Sequence, residues 1–252
     1  MKSRASAASE PARSERGDGA PSESARRGGR GGAAPRLIED LIVALAADAR
    51  PVSRLPPMGA RVRRWLAATT AATVAGVGVI GARGDLPARI REAAFAGEAA
   101  LMLSTGVLAA AAAFALSVPG AERTRYQRLL PLAAVVGWTG MVAGRLAREG
   151  ASWAAVAAEP WHLACGAQIL ALSLLPAIGA FFMIRRAAPL QLGWTAFVAS
   201  LAALAFAAVG VQLVCPIDPA SHTVVSHAVP MAVLAAIGAV AGARWLANAG
   251  SG

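Results

Sequence analysis

Charged side chains are scarce in this chain. Asp, Glu, Lys and Arg together make up 15% of its 252 residues, against about a quarter in soluble domains. Lysine occurs once against 23 arginines, a bias that with the alanine content suggests a GC-rich bacterial genome rather than a mechanism. Residues 1–35 contain no Leu, Ile, Val or aromatic residue, so they cannot bury enough surface to fold alone and are expected to be a disordered, basic extension. That stretch also lacks the apolar core of a signal peptide. No aromatic precedes Trp65, so the basic N-terminal region has no stacking platform for nucleic acid, and direct nucleic-acid binding is not expected. The chain has no G-x-S-x-G, H-E-x-x-H or Walker A pattern, no paired carboxylates in an apolar run and no ladder of acids along one. A nucleophile–base pair and a metal cage are both missing, so an enzyme is not expected.

What the chain does have is long apolar runs. Hydrophobic residues form 56% of it, and the runs are rich in Ala and Gly. Stretches of about twenty such residues are the pattern of membrane-spanning helices. The expected fold class is therefore all-α, a polytopic bundle of about six transmembrane helices with a short amphipathic helix before it. Spans are expected over 65–82, 95–118, 129–146, 162–184, 190–215 and 225–246, the first being the richest in Thr and Gly. The domain plan is an extension (1–35), a cytoplasmic helix and linker (36–64), a transmembrane domain (65–246) and a short tail (247–252).

Within 36–64, Leu37, Ile38, Leu41, Ile42 and Leu45 recur at helical spacing opposite Glu39, Asp40 and Asp48. The run is too short and too charged to span, and Pro51, Pro56 and Pro57 stop it. Its apolar face needs cover from a protein, the lipid surface or the bundle itself. Orientation follows from the arginines beside the spans. With the N-terminus in the cytoplasm, eleven lie inside and five outside, three of the latter being Arg83, Arg89 and Arg91 in the first outer loop. Both termini are thus expected in the cytoplasm of a bacterial inner membrane, the basic N-terminal region lying against anionic lipid.

The two cysteines occupy one stretch. Cys165 stands near the start of the fourth expected span and Cys215 at the end of the fifth. Consecutive spans run antiparallel, so both thiols come to the outer face, which in a Gram-negative cell is oxidising. They are either small apolar filler or a pair able to form a disulfide or bind a soft metal or oxidant. All three histidines share that face: His162 one helical turn before Cys165, and His222 and His227 after Cys215. They are candidate accessory ligands or interfacial residues. Structural zinc sites have tighter ligand spacing, so no constitutive cofactor is expected, only a transient heavy-metal ion at the cysteine pair. Glu98 is expected to snorkel or to pair with Arg89 or Arg91.

An ordered set of short segments carries a resemblance: LIEDLIVALAAD, PVSRLPP, RGDL, SVPG, WHLAC and VQLVCP. From about Leu37 onward the chain resembles the negative-regulator-of-sigma-F (NrsF) family of membrane anti-sigma factors. The resemblance implies that an extracytoplasmic-function sigma factor is held through the cytoplasmic helix. It further implies release when heavy-metal or oxidative stress reaches Cys165 and Cys215. Periodicity makes Leu37, Ile38, Leu41 and Leu45 the sigma-facing stripe. The alternatives left by the residues alone are a small metal or solute transporter and a structural membrane protein without a sensing role.

Overall fold

A computed structural model describes residues 33–48, 54–119, 125–150, 161–187 and 189–248, with side chains described over 37–48, 54–119, 129–150, 163–187 and 189–247. The extension up to residue 32 and the tail from 249 onward lie outside the described residues. The chain divides into two units, Met1–Arg54 and Leu55–Gly252. The first contains α1 (Ala33–Ala47), whose Leu37, Ile38, Leu41 and Leu45 are all exposed, at 58–68%.

Among its described residues, helix is the one kind of regular structure in the second unit. Its elements are α2 (Met58–Ile80), α3 (Leu86–Arg89), α4 (Ala93–Leu116), α5 (Arg125–Glu149), α6 (Trp161–Arg185) and α7 (Leu192–Val214). A short α8 (Ala220–His222) then runs through a π-helical turn (Thr223–Ala228) into α9 (Val229–Asn248). Each long helix matches an apolar run of the sequence to within a few residues, except that α2 starts earlier and takes in Arg61, Arg63 and Arg64.

Five of the six expected spans reach the apolarity of a membrane-crossing helix. Among the described residues, five helices are long and apolar enough to cross a membrane: Ala93–Leu116, Leu129–Glu149, Leu163–Arg185, Leu192–Val214 and Ala220–Ala247. Helix α2 has the length, but three arginines at its start and the Thr and Gly after them keep it below that apolarity. It nonetheless packs against α4, α6 and α7.

Helix α7 is the axis of the bundle and touches α2, α4, α6 and α9. It is apolar all round, and a helix of that kind has no polar face to give to solvent and belongs inside. Sixteen of its 23 residues are buried, Thr195 and Ala196 at one end and Val211 at the other. Its alanines let neighbouring backbones approach, as small residues do between membrane helices. Gly106 of α4 shows how close: a Cβ there would stand 2.8 Å from the Phe206 ring.

The N-terminal end of α2 is fixed by aromatic and cationic contacts. Trp65 donates from Nε1 to the Pro176 carbonyl (2.9 Å) and meets Phe114 and Phe206 edge-on, with centroids at 6.4 and 5.9 Å. Arg61, buried, lies over the Phe114 ring and donates to Ser117 Oγ (3.2 Å) and the Met183 carbonyl (2.8 Å). These bonds put the start of α2 level with the ends of α4 and α6. The opposite end of the bundle therefore holds the start of α6, the end of α7 and the loop after α2, where both cysteines lie.

Candidate thiol and histidine site

Two backbone devices bring the site together. Pro216 disfavours the helical region for the residue before it, and Cys215, the C-cap of α7, leaves the helix extended at φ −70°, ψ 121°. The chain then turns through Asp218 and Pro219 and re-enters helix with a π-helical turn. On an α-helix, residues five apart lie about 140° apart around the axis. The i→i+5 winding of a π-helix puts them on one face. His222 and His227 accordingly stand with ring centroids 5.6 Å apart at 73°.

Cys165 and Cys215, fifty residues apart, meet with their sulfurs 3.6 Å from each other. His222 Nε2 lies 3.7 Å from Cys165 Sγ and 3.4 Å from Cys215 Sγ. His222 Nδ1 is 3.3 Å from Ser226 Oγ, a hydroxyl that can accept the Nδ1 proton and leave the Nε2 lone pair facing the thiols. His227 completes the group, and one ligand atom from each of the four residues lies within 4.8 Å of the others. All four are buried, and the two cysteines are not joined by a disulfide. The Nε2 of His227 is enclosed without a hydrogen-bond partner. The Cys165 thiol beside Cys215 holds the latter well below the ordinary thiol range, against the opposing pull of burial and with help from His222.

Three of the five residues singled out on this face, Cys165, Cys215 and His222, are thus in mutual contact, and His227 lines the same site. His162 is the second residue of α6, but its side chain lies outside the described residues.

Around the thiols runs a charged clamp that periodicity could not reveal. Arg83, its side chain 2% exposed, uses all five of its N–H groups. Nε and Nη2 donate to Asp85 at 2.6 and 2.9 Å, Nη1 and Nη2 to Asp218 at 2.8 and 2.9 Å, and Nη1 to the Cys215 carbonyl at 2.8 Å. The aspartates raise its pKa, Asp85 most. Arg89 also pairs with Asp218. From α5, Arg145 donates to the Asp218 carbonyl, and Glu149 accepts the Ala220 amide at 2.7 Å. The loop from Cys215 to Ala220 is thus held on three sides.

Glu98 takes a different partner from the one its position suggested. It bonds Arg145 at 2.5 Å, rather than Arg89 or Arg91, because α4 and α5 pack together and carry the two side chains to one level. The pair borders a polar cavity of about 40 Å³ whose other walls include Gln212, Cys215, Thr223 and His227.

A family model described as negative regulator of sigma F (NrsF) matches residues 45–247. The chain belongs to the NrsF family. Its match takes in Leu45 and the whole bundle through α9 but begins after Leu37, Ile38 and Leu41. No curated protein and no solved structure matches the chain. NrsF membership makes a sigma factor the implied partner and a regulatory, non-enzymatic role the expected one. The short segments that resemble NrsF mark the two ends of the bundle. Arg83 and Asp85 of RGDL form the clamp, Cys165 of WHLAC and Cys215 of VQLVCP the thiol pair, and Ser117 of SVPG the partner of Arg61.

Proposed function

We propose that this NrsF protein is a membrane-held anti-sigma factor for an extracytoplasmic-function sigma factor. In this reading the sigma factor is gripped by the cytoplasmic segment 36–64, with Leu37, Ile38, Leu41 and Leu45 as the contact stripe. It is released when a heavy metal or an oxidant modifies Cys165 and Cys215, with His222 and His227 as accessory ligands. The observation that carries the sensing half is the meeting of the two thiols, from separate spans, at 3.6 Å beside an imidazole.

Orientation is part of the proposal. Among described residues of the second unit, the Arg61 end carries Arg61, Arg63, Arg64, Arg185, Arg186 and Arg244 and no carboxylate. The thiol end carries five arginines against five carboxylates, Asp85, Glu92, Glu98, Glu149 and Asp218. The rule that basic residues stay inside supports a cytoplasmic Arg61 end and an outward thiol site in a bacterial inner membrane. Three of the outer arginines that dissent from the rule, Arg83, Arg89 and Arg145, are neutralised by ion pairs.

A stimulus moves an equilibrium only by favouring one of two states. Arg83 supplies a route between them, since it grips the Cys215 carbonyl and lies three residues beyond the end of α2. A change at Cys215 would alter the seat of α2, whose other end leads toward segment 36–64. The test is co-purification from the native host of the intact protein and of one lacking residues 36–64. A sigma factor retained by the intact form alone, and released by cadmium or a thiol oxidant, supports the reading. Normal release from Cys165→Ser and Cys215→Ser proteins would sink its sensing half, and no sigma factor on either form would sink it entirely.

A further inference from the structure

The sulfurs of Cys165 and Cys215 and the Nε2 of His222 form a nearly equilateral triangle with edges of 3.6, 3.7 and 3.4 Å. Those lengths have a meaning in coordination chemistry. A tetrahedral dication with metal–sulfur bonds of about 2.3 Å and metal–nitrogen bonds of about 2.05 Å holds its sulfurs about 3.8 Å apart, and each sulfur about 3.5 Å from the nitrogen. Every edge of the observed triangle agrees with that figure to about 0.2 Å. A disulfide, by contrast, would need the two sulfurs about 1.5 Å closer.

We propose that these residues are a preformed Cys2His2 centre for one tetrahedral d10 dication of the zinc and cadmium class, with His222 and His227 as ligands in their own right. The inference rests on the reading of this site as the sensor but not on the sigma factor, so the two fail separately.

Three further observations support it. His227 is the candidate for the fourth corner, since it is 7% exposed and its ligand nitrogen lies within 4.8 Å of the other three ligand atoms. His222 is oriented from behind by Ser226, the kind of outer contact that fixes the tautomer and ring of a metal-bound histidine. Charge also balances. The metal takes both cysteines as thiolates and displaces only the protons they still carry, and the centre of two thiolates, two neutral imidazoles and one dication is neutral. A neutral centre suits a site in which all four ligands are buried. Sequence spacing argued against such a centre because the ligands are fifty residues apart on one side. The π-helical turn supplies the close pair of histidines that an α-helix would have kept apart.

The test uses the full-length protein in detergent, stripped of metal by a chelator under reducing conditions and titrated with Co²⁺, then with Zn²⁺. The expected result is one equivalent of cobalt with the intense visible bands of a tetrahedral site and a thiolate charge-transfer band, displaced by one equivalent of zinc. Ser226→Ala, which leaves all four ligands in place, should weaken binding about ten-fold or more, and His222→Ala should lose the tetrahedral spectrum. His227→Gln should lower the band intensity as water takes the fourth corner. An octahedral or absent cobalt spectrum in the reduced protein would overturn the proposal. So would unchanged affinity in the Cys165→Ser, Cys215→Ser double variant, and an unchanged spectrum in His227→Gln would overturn the fourth ligand.

Discussion

Arg61 and Arg83 lie at the two ends of α2 and its following loop, and both are buried, yet they are satisfied in opposite ways. Arg61 finds a hydroxyl, a carbonyl and an aromatic face. Arg83 finds two carboxylates and a carbonyl. The difference concerns what each would leave behind. Ser117 Oγ also donates to the Phe114 carbonyl (2.7 Å), so its hydroxyl keeps a partner without Arg61. Asp218 and the Cys215 carbonyl have Arg83 as a main partner, and its loss would strand charge in a half-buried place. One end of the bundle is therefore held by shape and the other by complementary charge.

The sharpest challenge to that contrast is at Trp65, where the shape-held end concentrates its contacts. Trp65→Ala removes a 2% exposed indole, its edge contacts with two phenyl rings and a hydrogen bond. The expected cost is about 4 kcal/mol, read as a lowered melting temperature of the detergent-solubilised protein. Arg83→Met should come next, at about 3 kcal/mol, near the lower end of the cost of orphaning a buried charge because Asp85 and Asp218 keep partial solvent access. Arg61→Met should cost less than about 1 kcal/mol, since an apolar chain of similar reach can lie on Phe114 and leaves no carboxylate unpaired. If chemical denaturation finds Arg61→Met as damaging as Arg83→Met, the contrast between the ends is wrong.

The smallest effect is with pH. Burial alone would raise the pKa of Asp218, but hydrogen bonds from Arg83 and Arg89 outweigh it and bring the value below the usual carboxylate range. Its contribution to stability is therefore complete above the ordinary carboxylate pKa. It is lost as the pH falls from there through the lowered value. Melting temperatures should be insensitive to Asp218 protonation near neutrality and fall below about pH 4, and Asp218→Asn should flatten part of that acid limb.

The apolar runs made the helices legible because composition alone decides that a segment of such length and apolarity becomes one. The approach of Cys165 to Cys215 was legible for a topological reason, the alternation of direction between consecutive spans. Rotation about each helix axis was not. It decides that Glu98 meets Arg145 instead of its sequence neighbours Arg89 and Arg91, and no periodicity within α4 or α5 encodes it. The π-helical turn was equally hidden, since Thr223–Ala228 has no proline or glycine to mark a change of winding. Helix α2 is the converse case. Its length was readable, but the apolarity expected of it was not there, and it is held by neighbours rather than by lipid affinity.

The burial of α7 has a consequence for how the molecule is made. A translocating chain delivers α2 through α6 before α7, and α9 only afterwards. Yet α7 contacts helices made on both sides of it. Its Ala-rich surface would find lipid tolerable but has its partners waiting on one flank only until α9 emerges. The residues that complete the thiol site, His222 and His227, arrive on that same last hairpin. Closure of the bundle and completion of its chemistry are thus a single late event in biogenesis, and a half-made molecule cannot carry a finished site.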